Sequence, residues 1–425
     1  MEQSYQTQKK MSHIDHSNAK PLYKAFHGLY LNLQRSFTEC NAVKLNPTVK
    51  PVDSWMQLPL PAKMRNQLRS SNGNNTPSME YFPDEIQHHI LNEQSVAVTY
   101  KFNMGTRKVV LHFVEFNTHT PDLKKMQAHA RSVCALMHLV SMHASRSACS
   151  SALNIYMYMT DFKKRFPIKK GEVIDTEHAN TGMSYHCSTT NDIVVYRKEE
   201  WFKVLIHESF HAFGLSFIEN DMPKGVDRAM QTMLQKMYSI SHSVRIYETY
   251  CEIWARILNV MFDCFVDDHA TPVYGTSTSN NPEFQVFMEC VMEGLDANAR
   301  FAQQQCAKLL RYADISHETL TQSTESNRAI VLKKYRENTN VFAYYVLTHV
   351  LLNSSNEFIV WCYRNNPLTP DKKGIMQFRA IPANFNGFME LLYHCKQRCP
   401  ALDSSELNDA DVVGSSMRMT VSENE

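Results

Sequence analysis

One stretch limits the fold of this chain more than any other: residues 199–215, EEWFKVLIHESFHAFGL. Apolar and uncharged side chains surround two histidines, no proline interrupts, and Gly214 falls where a helix would end, so the segment reads as a buried helix. Glu199 and Glu200 would occupy its first turn, where acids suit the helix dipole. A spacing of four puts His207 and His211 on one face about one turn apart, where both imidazoles can grip a single Zn²⁺ at ~2.0–2.1 Å. Glu208 lies on the adjoining side, placed to take a proton from a water activated by that metal. Val204, Leu205, Ser209, Phe210 and Ala212 keep the flanks uncharged. The plainer alternative is a pair of hydrogen-bonded histidines on an amphipathic helix.

A catalytic zinc needs a third protein ligand and an open position for water. The metzincin spacing would require His at 217, which is Phe217; the thermolysin spacing lands on Gln231, and the aminopeptidase spacing on Met230. The best remaining donor lies in Tyr247–Ala255, YETYCEIWA, where Glu248 follows His211 after 36 intervening residues. Glu248 and Glu252 stand at i and i+4 and share a helical face, so one can bind zinc while the other buttresses a ligand imidazole. An acidic pair on a solvated face is the alternative, and the apolar neighbours Tyr250, Ile253 and Trp254 weaken it. HExxH followed by a separate helix bearing E-x-x-x-E-x-x-A resembles the gluzincin type of zinc metallopeptidase, in particular members with long spacings such as some bacterial toxin proteases. The resemblance implies Glu248 as the third ligand, Glu252 as its support and one catalytic Zn²⁺.

The rest of the chain frames that site. Ser95–Asn103 and Thr106–Asn117 alternate apolar and polar residues around Met104-Gly105, the pattern of a hairpin. Leu123–Met142 follows the helical period, and Leu153–Thr160 and Asp192–Arg197 read as strands. The zincin resemblance would put the strand Asp192–Arg197 at a sheet edge beside the cleft, where it could pair with an extended peptide; a buried or capped edge is the alternative. Beyond Lys198 nearly every segment reads as helix. The expected fold is α+β: a zincin-like mixed sheet packed on the HExxH helix, followed by a large, mainly helical subdomain. The expected organisation is a disordered tail over 1–20, a helix starting at Pro21 plus an irregular linker or arm over 21–92, an α/β unit over 93–217, a helical subdomain over 218–400 supplying the third ligand, and an acidic disordered tail over 401–425. Tyr238, Tyr247, His242 and His186 are candidates for stabilising an oxyanion, with nothing to rank them.

Composition excludes several classes. Forty-four Lys and Arg against 43 Asp and Glu leave +1, with no basic, aromatic-interleaved block, so nucleic acid is not an expected partner. Twelve glycines in 425 residues, with no GxGxxG or GxxxxGK[ST], leave no phosphate-cradling loop. The longest apolar run, Val341–Leu352, is interrupted by Thr348 and His349 and falls short of the ~18 residues of a membrane span. The opening MEQSYQTQKK lacks the apolar core of a secretory signal. Eleven cysteines without a CxxC read as reduced thiols of a cytosol-like compartment. His394, Cys395 and Cys399 lack a nearby fourth donor and read as ordinary residues.

The order of hairpin, helix, strand, Asn180-Thr181-Gly182, the segment 192–211 and the later ENTNVFAYYVLTHVLL of 337–352 resembles a group of proteins encoded by nucleocytoplasmic large DNA viruses, over roughly residues 80–400. That resemblance implies a place in the host cytoplasm or the virion, with other virion proteins as partners beside a protein or peptide substrate. The expected function is a zinc-dependent endopeptidase that hydrolyses peptide bonds by a zinc-activated water. The competing expectation is a catalytically inactive structural or virion-associated protein on the same fold.

Overall fold

The computed structural model describes residues 16–71, 77, 79, 81–118, 120–268, 282–367, 374–404 and 407–421. Its centre is one mixed sheet of six strands, β1 (Thr48–Val52), β2 (Ser95–Met104), β3 (Arg107–Phe116), β4 (Ala152–Tyr158), β5 (Gly182–Ser184) and β6 (Thr190–Val195), in the order β1-β2-β3-β4-β6-β5. The hairpin β2–β3 turns at Gly105, which takes a left-handed φ of +56° that a side chain would resist. The β3-to-β4 and β4-to-β6 pairings are parallel, and the outer pairings are antiparallel.

The long helices are α1 (His16–Asn41), α2 (Ala62–Ser70), α3 (Asp84–Asn92), α4 (Leu123–His143), α5 (Trp201–Ala212), α6 (Val226–Met237), α7 (Ile246–Asp268), α8 (Pro282–Tyr312), α9 (Glu325–Lys334), α10 (Ser355–Asn365) and α11 (Pro382–Arg398). Strand alternation sends Val98, Tyr100, Phe113, Ile155 and Ile193 to one face, where they join the main core with α1, α4, α5, α7 and the later helices. The other face carries Val114, Tyr156, Tyr158, Val194 and Tyr196 into a smaller core with Leu58, Met64, Leu68, Phe82, Ile86 and Ile90. The second face is covered around Val114, Tyr158 and Val194 and exposed at Lys101, Asn103 and Lys108. The described residues of 48–92 supply an edge strand and the helices α2 and α3 that pack on the second face.

Other expectations need correction. Helix α1 begins at His16 and contains Pro21 in its interior rather than at its start; residues 1–15 lie outside the described ones. Asp192–Arg197 does not form the sheet edge, because β5 pairs along β6 and takes that place. A three-residue strand carries no readable alternation, and it fits there only because Gly182 has no side chain: a Cβ would come within 2.7 Å of Val204 Cγ1 and 2.9 Å of the Val194 carbonyl oxygen.

The described part of the acidic C-terminal stretch is packed, not a disordered tail. Asp409–Val412 forms a capped helical turn, Ser416 bridges to Arg165, and Met417, Met419 and Thr420 are buried. One of its acids, Asp409, pairs with Lys170 and Arg311. Not all thiols are free: Cys149–Cys187 and Cys264–Cys290 are disulfides, and the fold brings together residues 38 and 26 apart in sequence, which no spacing motif announces. Among the described residues, no helix is long and apolar enough to cross a membrane.

Candidate metal centre

Helix α5 runs between the β5–β6 end of the sheet and α7, and every side chain from Trp201 to Phe210 is buried. Its start differs from expectation. Glu200 is the N-cap residue in a left-handed conformation, and instead of serving the helix dipole its carboxylate is buried against the Lys164 ammonium. Glu199 accepts from the Lys164 backbone N–H. At the far end, the Cys187 N–H donates to the His211 carbonyl, so the Cys149–Cys187 disulfide holds the end of α5 against the start of β4.

The structure brings His207, His211 and Glu248 together as a buried group able to hold a metal ion. His207 Nε2 lies 3.0 Å from Glu248 Oε2 and 3.2 Å from His211 Nε2, and His211 Nε2 lies 3.4 Å from Glu248 Oε2. Four ligands at ~2.0–2.1 Å from a tetrahedral ion are separated by about 3.3–3.4 Å, so this triangle of two imidazole nitrogens and one carboxylate oxygen fits three corners of such a site.

Glu252, one turn along α7, accepts from His207 Nδ1 at 3.0 Å. A carboxylate can only accept, so this contact fixes a proton on Nδ1; Nε2, which points at Glu248 and His211, is the nitrogen that would give up its proton to a metal. Lys203 Nζ and Arg256 Nε approach Glu252 Oε1 at 3.0 and 2.9 Å, and all three side chains are buried. Burial opposes ionisation of Glu252, but the two cations and His207 outweigh it and hold its pKa well below the ordinary value. Burial likewise opposes charge on His207, yet its bonds to Glu248 and Glu252 lift it to about 10. Glu248 is held low, against its burial, by His211 and His207. Cys251 Sγ stands 3.8 Å from His211 Nδ1.

Glu208 faces the sheet edge, and its Oε2 accepts from Ser184 Oγ of β5 at 2.7 Å. Tyr344 enters from the opposite side: its hydroxyl donates to Glu248 Oε2 at 3.2 Å and its ring stands edge-on to His207. Tyr344 belongs to a π-helical turn, Phe342–Leu347. Thr249 and Thr348 donate to the Ala343 carbonyl and Arg256 to the Tyr344 carbonyl, so the widened turn keeps its backbone satisfied.

Ser184 and Tyr344 were absent from the sequence expectations. Of the four oxyanion candidates, Tyr247 stacks edge-on to His211, whereas His186 sits by Asp221, His242 by Glu337, and Tyr238 by Phe342. His394, Cys395 and Cys399 form no ligand group; the Cys399 thiol faces His349 Nε2 instead. No protein-family model, no curated protein and no solved structure matches the chain.

Proposed function

We propose that this chain is a zinc-dependent endopeptidase of gluzincin-like design, with His207, His211 and Glu248 holding the metal and Glu208 acting as general base. The observation that carries the reading is the placement of Glu208, oriented by Ser184, next to a donor triangle with the edge lengths of a tetrahedral site. A bound Zn²⁺ would supply Lewis acidity toward a water and a substrate carbonyl. Glu208 takes the proton of the attacking water as its oxygen bonds to the carbonyl carbon, then passes that proton to the amine as the C–N bond breaks. Tyr344 offers a hydroxyl beside the ligand set for charge developing on the carbonyl oxygen. Among the described residues β5 has a strand on one side only, and its other edge can pair with an extended peptide beside Glu208. That neighbourhood of edge strand and HExxH helix supports a zincin-like reading of the fold.

The experiment is paired. Purified protein should contain one zinc per chain and cleave members of a peptide library, and Glu208→Gln should keep the zinc while lowering turnover by on the order of 10²–10⁴. Unchanged cleavage by Glu208→Gln would remove it from the mechanism. Zinc without cleavage of any peptide would favour the inactive, structural reading, toward which the small size of the adjoining cavity, about 30 Å³, is the observation that counts.

A further inference from the structure

A groove beside the metal centre has no task in the mechanism above. It holds about 510 Å³ and is walled by α9, the segment leading into the π-helical turn, the start of α7 and Tyr81. Three contacts join it to the site. Asn340, in its wall, donates from Nδ2 to the Tyr344 hydroxyl at 3.3 Å, and that hydroxyl donates to Glu248. Arg245 stands three residues before Glu248, and its carbonyl accepts from the Glu248 N–H at 3.1 Å. Thr339 Oγ1 donates to Asn180 Oδ1 at 2.7 Å, and Asn180 borders the catalytic cavity together with His207, Glu208, Tyr344 and Met419. Asn180 lies two residues before β5. A peptide laid along β5 past the metal thus has the groove within reach. At ~3.3 Å per extended residue it meets the groove about two to four positions from the cut.

The accessible charge of the groove is positive. Arg245 and Arg336 are both exposed, and among the described residues neither guanidinium pairs with a carboxylate. Arg245 Nη1 donates to the Tyr81 hydroxyl at 2.6 Å, and Arg336 Nη2 to the Gly171 carbonyl at 2.7 Å. The Arg245 guanidinium also stands over the Tyr81 ring, 6.0 Å from its centre, so this cation is positioned before any ligand arrives. The carboxylate of Glu337 is turned into the wall. Its Oε2 accepts from the Tyr335 hydroxyl at 2.6 Å and the Phe342 N–H at 2.7 Å, its Oε1 lies 3.4 Å from His242 Nε2, and the side chain is 10% exposed. Its charge is engaged there, which leaves the two guanidinium groups to face solvent. Leu332, 65% exposed, gives the same groove an apolar lip. We infer that this groove binds an acidic side chain of the peptide substrate, with Arg245 as its main contact, and so selects glutamate or aspartate a few positions from the scissile bond. The fork of N–H donors on a guanidinium matches a carboxylate, and the apolar lip suits the peptide that carries it.

This inference rests on the peptidase reading, and the test separates the two. Binding is read by calorimetry on zinc-loaded Glu208→Gln protein, which leaves a bound peptide whole. The probes are alanine-rich decapeptides carrying three glutamates at one end or the other, with glutamine and lysine counterparts. At low salt the better-placed glutamate peptide should bind about 5-fold tighter than its glutamine counterpart, the scale of an exposed ion pair, and ~1 M NaCl should remove most of the difference. Arg245→Gln should remove most of it at low salt, and Arg336→Glu should shift the preference toward the lysine peptide. Arg228→Gln, exposed on α6 outside the groove, should leave the preference intact. Peptide-library cleavage by the unaltered protein should show the same acidic preference at one position. Equal binding of the glutamate and glutamine peptides, or a preference that survives Arg245→Gln combined with Arg336→Gln, would overturn the groove and leave the peptidase reading standing. Tighter binding of a thymidine decanucleotide than of the glutamate peptide would overturn it in favour of a nucleic acid. Acid-selective binding without cleavage of any peptide by the unaltered protein would uphold the groove and overturn the peptidase reading.

Discussion

The hydroxyl of Ser184 lies 2.7 Å from the Glu208 carboxylate and 3.1 Å from the Glu208 carbonyl oxygen, so a three-residue edge strand grips both the side chain and the backbone of the proposed base. A hydrogen bond to a charged group contributes ~1.5–3 kcal/mol. Ser184→Ala should therefore lower kcat about 10-fold or more, with KM and zinc content little changed, and Ser184→Thr should recover part of the loss. A kcat equal to that of the unaltered protein would show that Ser184 does not position the base.

The two carboxylates of α7 should fail in different ways. Glu248→Gln removes a proposed ligand, so a competitive chelator titration should find zinc affinity largely lost while the fold survives. Glu252→Gln leaves Lys203 and Arg256 buried with their counter-charge gone, and breaking such an arrangement costs about 3–5 kcal/mol. Denaturant unfolding of the metal-free proteins should rank Glu252→Gln well below Glu248→Gln. The reverse order would place the structural role on Glu248.

Acid should release the C-terminal segment. Burial would raise the Glu200 pKa, but Lys164 and Lys203 hold it at about 2, below the ~4.3 of a free glutamate. A lowered folded pKa means stability that is complete above the unfolded value and drains away as pH falls toward 2. Glu200 Oε1 accepts from the backbone N–H of Met419 and Thr420. Hydrogen exchange at those two amides should accelerate between about pH 4.5 and 2, ahead of the strands β3 and β4. Glu200→Gln should show the accelerated exchange already at pH 7. Protection in that variant matching the unaltered protein would exclude Glu200 as the anchor.

Gly182 should tolerate no side chain. A Cβ there meets Val204 Cγ1 at 2.7 Å, the Val194 carbonyl oxygen at 2.9 Å and Glu208 Cγ at 3.2 Å. Overpacking of this kind costs typically 1–3 kcal/mol. Gly182→Ala should lower Tm, and adding Val204→Ala should restore only part of it, because the carbonyl contact stays. Full restoration would mean that Val204 alone sets the limit.

What the sequence disclosed follows from how local each signal is. HESFH announced its helix and its paired imidazoles because both need only a four-residue spacing, and Glu248 could be found because α7 carries its own pattern of apolar neighbours. Ser184 could not: its strand is too short to show alternation, and its partner is 24 residues away. Tyr344 sits on a widened helical turn whose register an ordinary helical period misplaces. The acidic stretch after residue 400 reads as solvated until Lys170 and Arg311, paired with Asp409, and the Lys164 carbonyl, which accepts from the Met417 N–H, are seen to receive it.

The seating of Met419 and Thr420 against Glu200 has a consequence in time. Some 220 residues separate the two partners. At ~5–20 residues per second a ribosome takes roughly 10–45 s to travel that distance. Throughout that interval the helix bearing both histidines lacks the contact of Met419 with Lys203 and the hydrogen bonds from Met419 and Thr420 to Glu200. The strand pairings and α7 can be complete long before the cavity is. The complete wall of this site thus waits on synthesis of residue 420.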